Sequence, residues 1–304
     1  MERRFRFATQ RLTFAGRGDL VESARTAEAL GYDEFYSLDH IGNVDPFVPL
    51  MVVAEATETM RVGPLVSNNE LHHPVLLART AATVDRMTGG RLVLGLGAGY
   101  AQAELDAAGI ELRPPATRVS RFEESVSVLR QLLDTGRATA DGFHEVSIED
   151  LGVTPAQDRV PFLIAARGRR MIDIAARHAD IFQFTGIVHR ADGTRSYTGF
   201  RLSDFAERSE RIRRAAGERY DEIELSVVVL RSHVGRQADE QIGSVARELE
   251  VDGSLLEESP FLLFGSVDQV VEKLHRLREE HSVSHYVVRD PEGFAPIVAA
   301  LSGR

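Results

Sequence analysis

Cysteine is absent from all 304 positions, so disulfides, thiolate metal sites, iron–sulfur clusters and cysteine nucleophiles are excluded. Tryptophan is absent too. Lys273 is the single lysine among 36 basic residues, which leaves Schiff-base chemistry one nitrogen to use. No apolar run approaches the roughly 18 to 20 residues that span a bilayer. The start, Met1-Glu2-Arg3-Arg4-Phe5, runs into a strand-like stretch without the apolar segment of a signal peptide, so the expected location is the cytoplasm. Nor is there a positive excess. Forty-six acidic against 36 basic side chains give a formal charge of -10 with no block of like charges, which disfavours a nucleic-acid or anionic-membrane surface. What remains is 43% hydrophobic and 27% charged, ordinary for a folded protein and long enough for two modest cores or one barrel.

Strand-like runs alternate with amphipathic helical runs throughout, the pattern that builds a parallel sheet covered by helices. Strands are expected near 5–11, 34–38, 61–66, 91–96, 161–165, 180–184, 223–231 and 284–289. Helices are expected near 19–30, 46–59, 75–88, 116–134, 169–177, 203–217, 237–250, 267–281 and 293–301. Eight such βα units predict a (β/α)8 TIM barrel, read as one domain over residues 1–304. Two stretches break the rhythm and read as insertions. Residues 136–158, with an alternating His144-Glu145-Val146-Ser147-Ile148, predict a hairpin; residues 185–202 follow strand six at the end where barrel loops build sites, as a lid or an inert loop.

Three places at strand C-termini could carry chemistry. In Ser37-Leu38-Asp39-His40 a strand ends in an acid and an imidazole. His40 there can exchange a proton near neutral pH with Asp39 biasing its state, or the pair can be a structural strand end. Gly95-Leu96-Gly97-Ala98-Gly99-Tyr100 is a glycine-rich loop opening a helix at Ala101. Its glycines admit a ligand to the backbone, or serve a tight barrel corner. The spacing is not the dinucleotide fingerprint, and no acidic residue closes a second strand about 20 residues on. Third, Ala165-Ala166-Arg167-Gly168-Arg169-Arg170 puts three arginines in the first turn of a helix, where cations oppose the helix dipole unless an anion arrives; a solvated cluster is the alternative. His72 and His73 are adjacent, but neighbouring side chains point apart and no third ligand is near, so no metal site is expected. Neither a G-x-S-x-G elbow nor a P-loop occurs.

The run Ala29-Leu30-Gly31-Tyr32 to Asp39-His40, then Leu71-His72-His73-Pro74, Gly89-Gly90-Arg91 and Gly95 to Tyr100, resembles the bacterial luciferase-like monooxygenase superfamily. So do Met171 to Asp180 and Phe264 to Leu274, and the matches in order span residues 5 to 301. Within it the chain looks more like the F420-dependent oxidoreductases than like the luciferases themselves. The resemblance implies a barrel that binds a flavin or the deazaflavin F420 at its C-terminal face, often as a homodimer. His40 would lie by the reactive edge of the ring with Asp39 beside it. Leu65, Val66 and Asn68 would form a bulge behind the ring, where relatives often hold a cis peptide that does not precede proline. Gly97, Gly99 and Tyr100 would line the ribityl chain, and Ala166, Arg167 and Gly168 would hold the phosphate. Relatives have Gly-Gly and a small residue where this chain has Ala165-Ala166-Arg167-Gly168, so Arg167 is expected to reach the phosphate or a polyglutamate tail directly. The sugar-phosphate dehydrogenases carry a tryptophan after the histidine and a glutamate just after the glycine loop; here tryptophan is missing and Tyr100 takes the second place, which disfavours glucose-6-phosphate as substrate.

The expected function is hydride transfer between F420 and a small organic substrate, with His40 as proton partner. The alternatives are an FMN-dependent monooxygenase using oxygen, with a flavin or F420 reductase as partner, and a non-catalytic flavin-binding protein.

Overall fold

The computed structural model describes residues 3–189 and 195–304. Eight parallel strands lie where the alternation places them: β1 (Arg6–Gln10), β2 (Glu34–Ser37), β3 (Arg61–Pro64, resuming at Ser67–Asn68), β4 (Leu94–Gly97), β5 (Phe162–Ala166), β6 (Ile181–Phe184), β7 (Glu224–Val228) and β8 (Val283–Val288). Around the sheet the order is β3, β2, β1, β8, β7, β6, β5, β4. The ring closes because the second half of β3 pairs with β4 (Ser67 with Leu96, Asn68 with Gly97) and Val62 bridges Leu92. That seam is tight enough to dictate residue type. A Cβ on Gly63 would stand 2.0 Å from the Val93 carbonyl oxygen, and one on Gly95 would stand 1.9 Å from that of Pro64.

The strands are buried on both faces, as a helix-covered parallel sheet requires. Phe7, Phe35, Val62, Leu94, Phe162 and Tyr286 belong to the large core that includes the buried helix faces. A smaller cluster of Ala8, Tyr36, Leu65, Val93, Leu163, Ile181 and Val287 fills the barrel. At the strand N-termini the filling is charged. Glu34, fully buried, accepts from Arg6 and from the Tyr36 hydroxyl, lies 3.6 Å from Arg61 and is 3.2 Å from His285 Nε2. Arg6 also donates to Glu224 at 2.7 Å. Each buried charge is thereby answered by an opposite one.

The helices are α1 (Arg17–Ala29), α2 (Val48–Ala56), α3 (Pro74–Met87), α4 (Gln102–Ala107), α5 (Pro115–Thr135), α6 (Arg169–His178), α7 (Leu202–Ala216), α8 (Ala238–Leu249), α9 (Gly253–Glu258), α10 (Val267–His281) and α11 (Pro291–Leu301). Their ends follow local chemistry. α5 stops at Gly136 in the left-handed conformation, φ 73°, and α10 starts with a capping box of Ser266 and Gln269. Among the described residues no helix is long and apolar enough to cross a membrane.

The stretch 136–158 does hold a hairpin, 138–141 against 145–148, clamped by Glu124, which accepts from the Phe143 and His144 amides. In 185–202, residues 190–194 lie outside the described residues; the remainder holds a short antiparallel pair and a 3-10 turn at Thr198–Phe200. One pairing is not foreshadowed by the alternation: strand 231–234, just past β7, pairs in parallel with 262–265.

Candidate active site

Where β2 ends, Ser37 pins the following loop by donating its hydroxyl to the Pro46 carbonyl at 2.6 Å. The next residues then diverge. The buried Asp39 carboxylate turns toward β3, accepting the Asn68 amide at 2.8 Å and standing 2.7 Å from His72 Nε2. His40 turns the other way. Its Nδ1 lies 2.7 Å from Glu104 Oε1, and Glu104 Oε2 accepts the Ile41 amide at 3.1 Å. The carboxylate that touches the imidazole is therefore Glu104 of α4, and the expected pairing of His40 with Asp39 is corrected. Extended neighbours project to opposite sides, which is why the adjacent acid is the wrong one.

Glu104 sits in the first turn of α4, where the helix dipole favours an anion. Its acidic placement just past the glycine loop is the signal in the sequence that could have found it. Tyr100, from the same loop, brings its hydroxyl to 3.2 Å from His40 Nε2, with the two rings edge-on at 5.7 Å.

Beside this group β3 is interrupted by a cis peptide between Leu65 and Val66, where the resemblance places one. Gln10 donates from Nε2 to the Leu65 carbonyl at 2.9 Å, and Leu65 N donates to Ser37 O at 2.9 Å. The bulge packs on the glycine loop. A Cβ at Gly97 would come within 2.6 Å of Val66 Cγ2, and Gly99, at φ 81°, would clash with Asn68 Oδ1 at 2.3 Å. Leu65, Val66, Asn68, Gly97 and Gly99 thus form one surface, and the tyrosine that ends it belongs to His40. Within the bulge, Ser67 Oγ and Asn69 Nδ2 are buried and have no hydrogen-bond partner among the described residues. Below it, buried Glu70 is held between Arg113 at 3.0 Å and Arg121 at 2.9 Å.

One strand further round, β5 delivers Ala166, Arg167 and Gly168 to the start of α6. Gly168 is the N-cap, no side chain caps the helix, and a Cβ there would meet nothing within 4 Å. Arg167 makes a two-point contact with Asp204, at 3.0 and 3.2 Å, and Asp204 also pairs with Arg208 at 2.9 Å. Arg170 donates to Ser120 at 2.9 Å. The open amides and fixed guanidinium suit an anion.

Lys273 takes no part. Its buried Nζ donates to the carbonyls of Glu257 and Leu262 at 2.7 and 2.9 Å, and burial pushes its pKa down to about 7. His73 caps α3 by accepting the Val75 amide at 3.3 Å.

A family model described as luciferase-like monooxygenase matches residues 5–252. The 5,10-methylenetetrahydromethanopterin reductase of Archaeoglobus fulgidus is 32% identical over 163 residues, 53% of this chain and 47% of that protein. The F420-dependent glucose-6-phosphate dehydrogenase of Kribbella flavida is 30% identical over 224 residues, 69% of this chain and 63% of that protein. In its fold the chain is similar to the coenzyme F420 dependent tetrahydromethanopterin reductase of Methanopyrus kandleri, with a TM-score of 0.76 at 20% identity, covering 99% of each chain. The first matches span about half the length of the curated relatives.

Proposed function

Since the chain belongs to the luciferase-like monooxygenase family, we propose that it is an F420-dependent oxidoreductase that moves a hydride between the deazaflavin and a small organic substrate. The observation that carries this reading is His40, held at a strand C-terminus by Glu104 and flanked by the glycine loop that packs on the end of β3. Relatives whose names specify F420 support the same cofactor.

The residues fit such a group. The bulge offers two buried polar atoms without partners among the described residues, Ser67 Oγ and Asn69 Nδ2, to the polar edge of a ring. The uncapped start of α6, with Arg167 fixed beside it, offers backbone amides to a phosphate. When bound, F420 supplies a two-electron hydride acceptor or donor. The protein's part is to place the substrate, and to hold at His40 the proton that hydride transfer leaves over. Glu104 keeps the imidazole oriented through the contact at Nδ1.

We read the chain as one barrel domain with two insertions, working in the cytoplasm as a homodimer, with an F420 or flavin reductase returning the cofactor to its starting state.

Parallel titration of the purified protein with F420, FMN and FAD, followed by ligand fluorescence and melting temperature, tests the proposal. Tight F420 binding with poor FMN binding is the expected result. Preference for FMN would transfer the chain to the oxygen-using monooxygenases, and binding of neither would sink the cofactor reading. In the same assay His40→Ala should bind F420 as the wild type does and lose about 10²-fold or more in turnover.

A further inference from the structure

His40 has a partner at each nitrogen, and the two partners differ in kind. Glu104 presents Oε1 to Nδ1 at 2.7 Å and uses Oε2 to accept the Ile41 amide at 3.1 Å. An ionised carboxylate only accepts, so Nδ1 carries a hydrogen, and in the neutral ring the lone pair is on Nε2. The group 3.2 Å from Nε2 is the Tyr100 hydroxyl, which donates to it. Carboxylate, imidazole and phenol therefore stand in a line. The phenol is its outer end: Tyr100 is 45% exposed, against 29% and 27% for the His40 and Glu104 side chains.

We propose that Tyr100 is the group that exchanges a proton with the substrate, as the outer member of a Glu104, His40, Tyr100 relay, and that the substrate changes between alcohol and carbonyl. This rests on the hydride-transfer reading above. His40 is then the reservoir behind the phenol. In the oxidising direction the carbinol C–H bond would break and its electron pair would leave with the hydrogen to F420, which would supply the two-electron acceptor. The substrate O–H proton moves to the Tyr100 oxygen, and the Tyr100 proton moves to His40 Nε2. The substrate would leave as a carbonyl, two electrons and one hydrogen having gone to F420, and His40 would be left as an imidazolium against the Glu104 carboxylate. The reducing direction returns each proton along the same line.

The charges facing the relay agree with that role. Glu104 lies behind it on α4, and Arg289, following β8, is close enough for its charge to interact with the ionised phenol; Arg231, on the strand past β7, neighbours Arg289. A cation on the phenol's side lowers the cost of any negative charge that develops on its oxygen. An alcohol fits because its oxidation releases one hydride and one proton on oxygen, and the relay ends in an oxygen acid of matching reach.

The test uses the full chain carrying ¹⁵N-histidine, as wild type, Tyr100→Phe and Glu104→Gln, in long-range proton–nitrogen spectra recorded from mildly acidic to mildly alkaline pH. F420 affinity is measured on the same samples. Expected are an Nδ1–H tautomer for His40 in the wild type, and an Nε2 resonance that moves toward that of an unbonded lone pair in Tyr100→Phe, with turnover compared at saturating F420. Glu104→Gln should admit the second tautomer, because a side-chain amide can also donate to Nδ1. An Nε2–H tautomer in the wild type, or an Nε2 resonance unmoved by Tyr100→Phe, overturns the relay. With F420 bound, a panel of secondary alcohols and their ketones completes the experiment. Turnover should fall about 10²-fold or more in Tyr100→Phe; equal turnover, or reaction with neither class, overturns the assignment. A chain that shows the expected tautomer but fails to bind F420 would sink the cofactor reading, and with it the exchange with substrate, while leaving the Glu104, His40, Tyr100 hydrogen-bond line in place.

Discussion

Arg167 sits at the junction of two demands. Its guanidinium is held by Asp204 in a two-point contact, and the same carboxylate answers Arg208, so two cations share one anion. A side chain fixed in this way pays little further conformational entropy when a phosphate arrives, which is how arginine forks are used in anion sites. Arg167→Ala is expected to weaken F420 binding about tenfold, the loss of roughly one charge-assisted hydrogen bond; titration that returns the wild-type affinity would remove Arg167 from the phosphate site. His40 and the glycine loop were readable because a strand terminus and a glycine spacing are local features. Glu104 was signalled only by its place just past the glycine loop, and with its partner 64 residues away that place does not say which imidazole it meets. Asp39 misled for the same reason, its carboxylate being spent on Asn68 and His72.

At the scale of elements, α1 is tied to the entry of β3 by one side chain. Glu28 accepts the amides of Glu58, Thr59 and Met60, at 2.8 to 3.1 Å, and so orders the turn before β3 begins. Burial alone would raise its pKa, but those amides outweigh it and hold the carboxyl below its usual 4.5. A depressed folded-state value means stability that is complete above the unfolded pKa and lost as pH falls through the folded one. Glu28→Gln should therefore cost about 1 kcal/mol at neutral pH and show a smaller further loss on acidification below the normal carboxylate range; denaturation curves of equal steepness in pH would refute this. The eight barrel strands were legible because buried parallel strands are nearly continuous apolar runs and their helices are amphipathic. The pair 231–234 with 262–265 was hidden because its first strand, Arg-Ser-His-Val, has no apolar run to reveal it.

For the molecule as a whole, the charged layer inside the barrel makes stability depend on pH in a second window. Burial holds the His285 imidazole down to about 4, so the folded chain keeps it neutral while the unfolded chain, at an ordinary 6.5, protonates it. Between those values the unfolded state binds more protons, and stability rises with pH. The contribution is on the order of 3 kcal/mol across the window. His285→Asn should lower stability at neutral pH, by loss of the contact to Ser226 Oγ at 2.7 Å, and flatten the dependence between pH 6.5 and 4; an unchanged slope in chemical denaturation would refute the assignment. Lys273 has a consequence of another sort. With the chain's one lysine nitrogen enclosed between two carbonyls, amine-directed acylation or cross-linking finds no exposed side chain to attack. The outward positive charge is almost entirely guanidinium, which such reagents do not neutralise. Covalent tagging or surface attachment through amines will therefore leave the protein's charge pattern, and its electrophoretic mobility, almost untouched.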